Sequence, residues 1–136
     1  MRTTMSNSHP TILLVEDEEL LRAGVQEVLE IQGYKVISAP DGQQALACLN
    51  LQPIDLVITD LVMPQMNGID FVKQVREIQP DLPVIVVSGS TRNIMQRYGI
   101  DSIQVPGANA SLPKPFKSVD LLEQVQQLLA SRFSKP

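Results

Sequence analysis

Three features of the sequence predict a doubly wound α/β fold, a five-stranded parallel sheet with helices on both faces. Five short apolar runs alternate with segments whose apolar residues recur at helical spacing. That alternation implies βαβ crossovers, which make the strands parallel. The runs are also continuously apolar, as expected of strands buried on both faces of a sheet. Finally, the 136 residues, 43% hydrophobic and 19% charged, suffice for one substantial core.

Element by element, residues 1–10 are polar and irregular and are expected to form a tail, with residues 11–133 as the domain and 134–136 as a short second tail. Ile12 to Val15 is the first strand and ends in acids. From Glu18 to Gln32, Leu20, Leu21, Val25, Val28 and Leu29 define a helical face, which Gly33 closes. "YKVISA" is the second strand, "DGQQALACLN" a short helix ending before Pro53, and "DLVITD" the third strand. Phe71, Val72, Val75 and Ile78 mark a helix from Ile69 to Gln79, stopped by Pro80. "PVIVVS" is a β-branched fourth strand, and Thr91 to Tyr98 is the candidate for a fourth helix. A short strand over Ala110 to Leu112 precedes "PKPF", and a last helix carries Val119, Leu122, Val125, Leu128 and Leu129.

The net charge of -4 argues against a surface made for nucleic-acid phosphates or anionic lipid. The single cysteine, Cys48, cannot form an internal disulfide, and no apolar run approaches the ~20 residues that span a bilayer. These features lead us to expect a cytoplasmic protein with neither a nucleic-acid nor a membrane partner.

In a parallel sheet of this kind, ligands bind beyond the carboxyl ends of the strands. Glu16 and Asp17 follow the first strand, Asp60 ends the third, Ser88 ends the fourth and Lys114 follows the fifth. Three carboxylates there would repel by roughly 3 kcal/mol per pair at ~5 Å and an effective dielectric of ~20. Raised pKa values, the lysine or a bound cation must offset this. An all-oxygen donor set favours a hard ion such as Mg²⁺. The arrangement suits phosphoryl transfer, with Asp60 as nucleophile, Glu16 and Asp17 on the metal, and Ser88 and Lys114 on the transferred group.

In order along the chain, "ILLVEDEE", "GYKVISAPDGQQAL", "LVITDLVMPQMNGIDF", "VIVVSGS" and "LPKPF" resemble the motifs of response-regulator receiver domains, over about Thr11 to Phe133. The resemblance implies a flavodoxin-like sheet in the order 2-1-3-4-5, flanked by five helices. It implies that Asp60 accepts a phosphoryl group from a phosphohistidine on a sensor histidine kinase or histidine phosphotransfer protein. Asp17, Asp60 and the Val62 carbonyl would then be direct Mg²⁺ ligands, with Glu16 acting mainly through water. Ser88 would be a hydroxyl switch and Lys114 would pair with phosphoryl oxygens, directed by a cis Lys114-Pro115 bond. Val62 and Gly89 would complete the phosphoryl-binding set. Output is expected through contact with a further protein or onward phosphate relay, and relatives also pair as homodimers.

The chain departs from the family pattern in two places. Three positions before the lysine, where receivers usually carry an aromatic residue, stands Ser111, and the segment from Ser88 to Lys114 is longer than usual. Both bear on the output face. Three other classes fit less well. A phosphohydrolase of the haloacid dehalogenase type needs an acid two residues after the nucleophile, where Val62 stands, and a flavin binder needs a hydroxyl- or glycine-rich loop where "EDEE" stands. A pseudo-receiver that binds partners without phosphate would not need Asp17, Asp60 and Lys114 together.

Overall fold

The five apolar runs become five strands in a computed structural model, which describes residues 9–63, 66–88 and 105–133. They are β1 (Thr11–Val15), β2 (Lys35–Ala39), β3 (Leu56–Asp60), β4 (Val84–Ser88) and β5 (Ala110–Pro113). All pairings are parallel and the order is β2-β1-β3-β4-β5, so β3 is central and delivers Asp60 to the middle of the carboxyl edge.

Four helices lie among the described residues: α1 (Glu19–Ile31), α2 (Gly42–Leu51), α3 (Gly68–Ile78) and α4 (Ser118–Phe133). The helix expected over Thr91 to Tyr98 falls outside the described residues, as does Gly89. Asp41 and Asn67 start α2 and α3 by accepting hydrogen bonds from the Gln44 and Asp70 amides, each at 2.8 Å.

The three inner strands β1, β3 and β4 are buried almost throughout because successive side chains enter opposite, covered layers, whereas the edge strands β2 and β5 are only partly buried. Leu13, Val15, Val57, Val84 and Val86 pack with Phe71, Val72 and Val75 of α3. Ile12, Leu14, Ile58 and Ile85 pack with α1 and α4 through Val25, Leu29, Leu121, Val125 and Leu129.

Two helix faces differ from the expectation. In α4 the buried stripe is Leu121, Val125 and Leu129, while Val119 is 63% exposed. Val119 precedes Leu121 by two residues and so lies roughly 200° away around the helix. In α1 the buried pair is Val25 and Leu29, and Leu20, roughly 140° from Val25, is 84% exposed.

Candidate functional site

The alternation that builds the core also builds the site. Ile12 and Leu14 of β1, Leu56 and Ile58 of β3, and Ala110 and Leu112 of β5 all belong to the layer beneath α1 and α4. Continuing each strand by two residues places Glu16, Asp60 and Lys114 on that face at the carboxyl edge. They meet there: Lys114 Nζ donates to Glu16 Oε1 at 2.8 Å and to Asp60 Oδ2 at 3.1 Å. Both carboxylates are buried, whereas Asp17, one residue further on, is exposed. Even so, one carboxylate oxygen from each of Glu16, Asp17 and Asp60 lies within 4.8 Å of the others.

Burial pushes the Glu16 carboxyl above the usual carboxylate range, opposed by hydrogen bonds from the Lys114 ammonium and the Glu18 amide. For Lys114 burial acts to lower the pKa, but the hydrogen bond to Glu16 and the charge of Asp60 outweigh it and hold the ammonium above its ordinary value. Among the described residues Lys114 is the one cation paired with these three carboxylates, which leaves the cluster short of positive charge. Its donors are all oxygens, one of them solvent-facing, which fits a hard divalent cation.

The backbone closes around the acids. The Val62 amide lies 3.4 Å from Asp60 Oδ1, and the Val62 side chain is 57% exposed. Gly68 comes so close that its N–H reaches the Leu61 carbonyl at 2.6 Å, and a Cβ there would lie 2.7 Å from the Asp60 carbonyl oxygen. The Asn67-Gly68 pair is the sequence signal for this approach. Because the clash is with backbone, Gly68→Ala is expected to destabilise the protein by about 2 kcal/mol, read as a lower urea midpoint.

Ser88 ends β4 in a buried position, and its carbonyl accepts from the Lys114 amide at 2.7 Å. The Lys114-Pro115 peptide is cis. Ser111 is exposed on β5, paired with Val86. Sequence reasoning missed Arg22, whose Nη1 donates to the Glu16 carbonyl at 2.7 Å.

A doubly wound sheet with buried acids and a lysine at its carboxyl edge is the arrangement that the resemblance to receiver domains implies. The profile of the response regulator receiver domain matches residues 12–126, and the chain belongs to that family. It is 37% identical over 118 residues to the transcriptional regulatory protein CpxR of Escherichia coli (strain K12), covering 87% of this chain and 48% of that protein. It is 34% identical over 129 residues to the sensor kinase CckA of Brucella abortus (strain 2308), covering 93% of this chain and 13% of that one. Among solved structures it resembles the chemotaxis response regulator CheY4 of Vibrio cholerae, with a TM-score of 0.75 and 32% identity over 88% of this chain and 98% of the other. The chain thus spans about half the length, or less, of the curated relatives it matches.

Proposed function

We propose that this chain is a phospho-accepting receiver in which Asp60 takes a phosphoryl group from a phosphohistidine. The observation that carries this reading is Lys114 Nζ bridging buried Glu16 and Asp60 at the end of the central strand. An Asp60 carboxylate oxygen attacks phosphorus, the phosphorus–nitrogen bond breaks, and the electron pair leaves on the imidazole. The product is an acyl phosphate on Asp60. The Lys114 ammonium, already beside Asp60, moves onto the new phosphoryl oxygens. Glu16, Asp17, Asp60 and Val62 are the residues that would hold Mg²⁺, which when bound supplies charge for the equatorial oxygens. Ser88, with Val62 and Gly89, would contact the group once it is attached, and the Ser88 hydroxyl would couple its arrival to the output face.

A protein phosphodonor, whether a sensor kinase or a phosphotransfer protein, is supported by an apolar groove of about 520 Å³ between α1 and the start of α4. Leu20, Leu21, Val25, Phe116 and Leu121 line it, and Lys114, which bridges Glu16 and Asp60, belongs to its wall. No helix among the described residues is long and apolar enough to cross a membrane. With a net charge of -4, this fits the proposed cytoplasmic placement of a receiver over residues 11–133.

The reading is tested by intact mass after incubation with Mg²⁺ and acetyl phosphate. A gain of one phosphoryl group that a chelator abolishes is expected. No gain, together with no response of the amide spectrum to Mg²⁺ or beryllofluoride, would overturn it. The lifetime of the product is a separate expectation. Val62 is apolar and Ser90 is small, so neither position offers a strong general base to the attacking water. The acyl phosphate is expected to outlast seconds when its decay is followed by mass, and a lifetime of a second or less would contradict this.

A further inference from the structure

β1 passes into α1 through three consecutive acids, Glu16, Asp17 and Glu18. A turn of that composition repels itself, and Glu18, which precedes the helix, makes no side-chain capping hydrogen bond. Two local contacts hold the turn instead. The Glu18 amide donates to Glu16 Oε2 at 3.1 Å, and Arg22 reaches back from α1 to the Glu16 carbonyl at 2.7 Å. On its other side the Glu16 amide donates to the Ala39 carbonyl at 3.1 Å, continuing the β1–β2 ladder. The main chain at Glu16 is therefore fixed between the sheet and Arg22.

The choice of acceptor is informative. Arg22 stands beside an acidic turn, yet no carboxylate pairs with it among the described residues. Lys114 takes the carboxylates, and Arg22 takes a neutral backbone oxygen. A guanidinium used in this way orients a peptide rather than neutralising a side chain.

We propose that Arg22 is a positioning residue for the cation site. By fixing the Glu16 carbonyl it sets the peptide from which Asp17 projects, and so keeps the Asp17 carboxylate against those of Glu16 and Asp60. The inference rests on reading these three acids as the Mg²⁺ site.

The sign of the effect separates this role from a purely electrostatic one. Removing a positive charge near three carboxylates should tighten the binding of a divalent cation, because a competing cation is gone. Removing a positioning contact should weaken it, since the oxygens must then be gathered at the moment of binding.

The test is Mg²⁺ titration of the full chain, followed by amide chemical shifts, for wild type, Arg22→Met and Arg22→Lys, with thermal melts of each metal-free protein. Arg22→Met keeps an apolar stem and is expected to raise the Mg²⁺ dissociation constant about tenfold, the lower end of the loss seen when supporting contacts to ligands are removed. Arg22→Lys retains a donor and a charge and should fall between the two. Binding in Arg22→Met as tight as wild type, or tighter, overturns the proposal. Should that variant fail to fold, Arg22→Gln takes its place under the same criterion. A wild-type chain that does not bind Mg²⁺ overturns the cation-site reading itself, whereas equal binding by wild type and variant overturns only the role of Arg22.

Discussion

Replacing Asp60 by asparagine is expected to abolish phosphorylation while leaving the metal-free protein at least as stable as the parent. The amide has nearly the shape of the carboxylate but is not a nucleophile toward phosphorus, so the mass gain with acetyl phosphate should disappear. The stability half of the prediction follows from competing charges. Asp60 is attracted to Lys114 at 3.1 Å, worth about 5 kcal/mol at an effective dielectric of about 20. It is repelled by Glu16 and Asp17 within 4.8 Å, about 3 kcal/mol each by the same measure, with the Asp17 share reduced because that group is exposed to solvent. These contributions nearly cancel. What is left is the desolvation of a carboxylate whose side chain is only 9% exposed, a cost that the amide lowers. Lys114 also keeps its partner in Glu16 at 2.8 Å. A thermal midpoint equal to or above that of the parent, without phosphorylation, is the expected pair of results. A large loss of stability would show that the Lys114 contact outweighs the repulsion.

Much of this site could be read from the sequence because strand ends are easy to find. Ile12 to Val15, Leu56 to Ile58 and Val84 to Val87 are apolar runs with little helical competition, and each is followed within two residues by a polar one that the fold places at its carboxyl edge. The order of the strands has no such local mark and came from the resemblance. Nor does the sequence tell neighbouring acids apart. Glu16 and Asp17 are adjacent, but strand alternation carries Glu16 inward to Lys114 and leaves Asp17 at the surface. The contact from Arg22 to the Glu16 carbonyl spans six residues across a turn, a spacing that no helical or strand period predicts. The exposure of Leu20 departs from the helical pattern for a related reason. Periodicity identifies apolar residues but not how far round a helix the sheet covers them, and Leu20 lies beyond that edge.

Arg76→Ala is expected to show the opposite behaviour, a large loss of stability with phosphorylation retained. Arg76, in the last turn of α3, spends all five of its N–H donors on the protein. Nε and Nη2 both reach the Gly107 carbonyl, at 2.9 and 2.6 Å, and Nη2 also reaches Asn109 Oδ1 at 2.7 Å. Nη1 reaches the Leu82 carbonyl at 2.5 Å and the Gln79 carbonyl at 3.4 Å. Asn109 Oδ1 accepts in addition from the Val84 amide at 2.9 Å, and the Asn109 amide returns a bond to the Val84 carbonyl at 2.8 Å. One guanidinium thus ties the end of α3 to the beginnings of β4 and β5. Gly107 fits beneath it with φ at +88°, where a Cβ would come within 3.1 Å of the Arg76 stem. Bonds from a charged donor contribute about 1.5–3 kcal/mol each, but several of these face solvent and they share acceptors, so a net loss of about 3 kcal/mol is expected. For a chain of this size that lowers the thermal midpoint by roughly 10 °C. Arg76→Lys should recover only part of it, because three donors on one nitrogen cannot span Gly107, Asn109 and Leu82 together. The clasp sits at the amino ends of β4 and β5, whose carboxyl ends carry Ser88 and lead into Lys114, roughly 13 Å away along a five-residue strand. Well below its midpoint, Arg76→Ala should therefore still gain one phosphoryl group from acetyl phosphate. A variant that melted with the parent would show the clasp to be redundant, and one that stayed folded but lost phosphorylation would show that the two ends of the sheet are coupled.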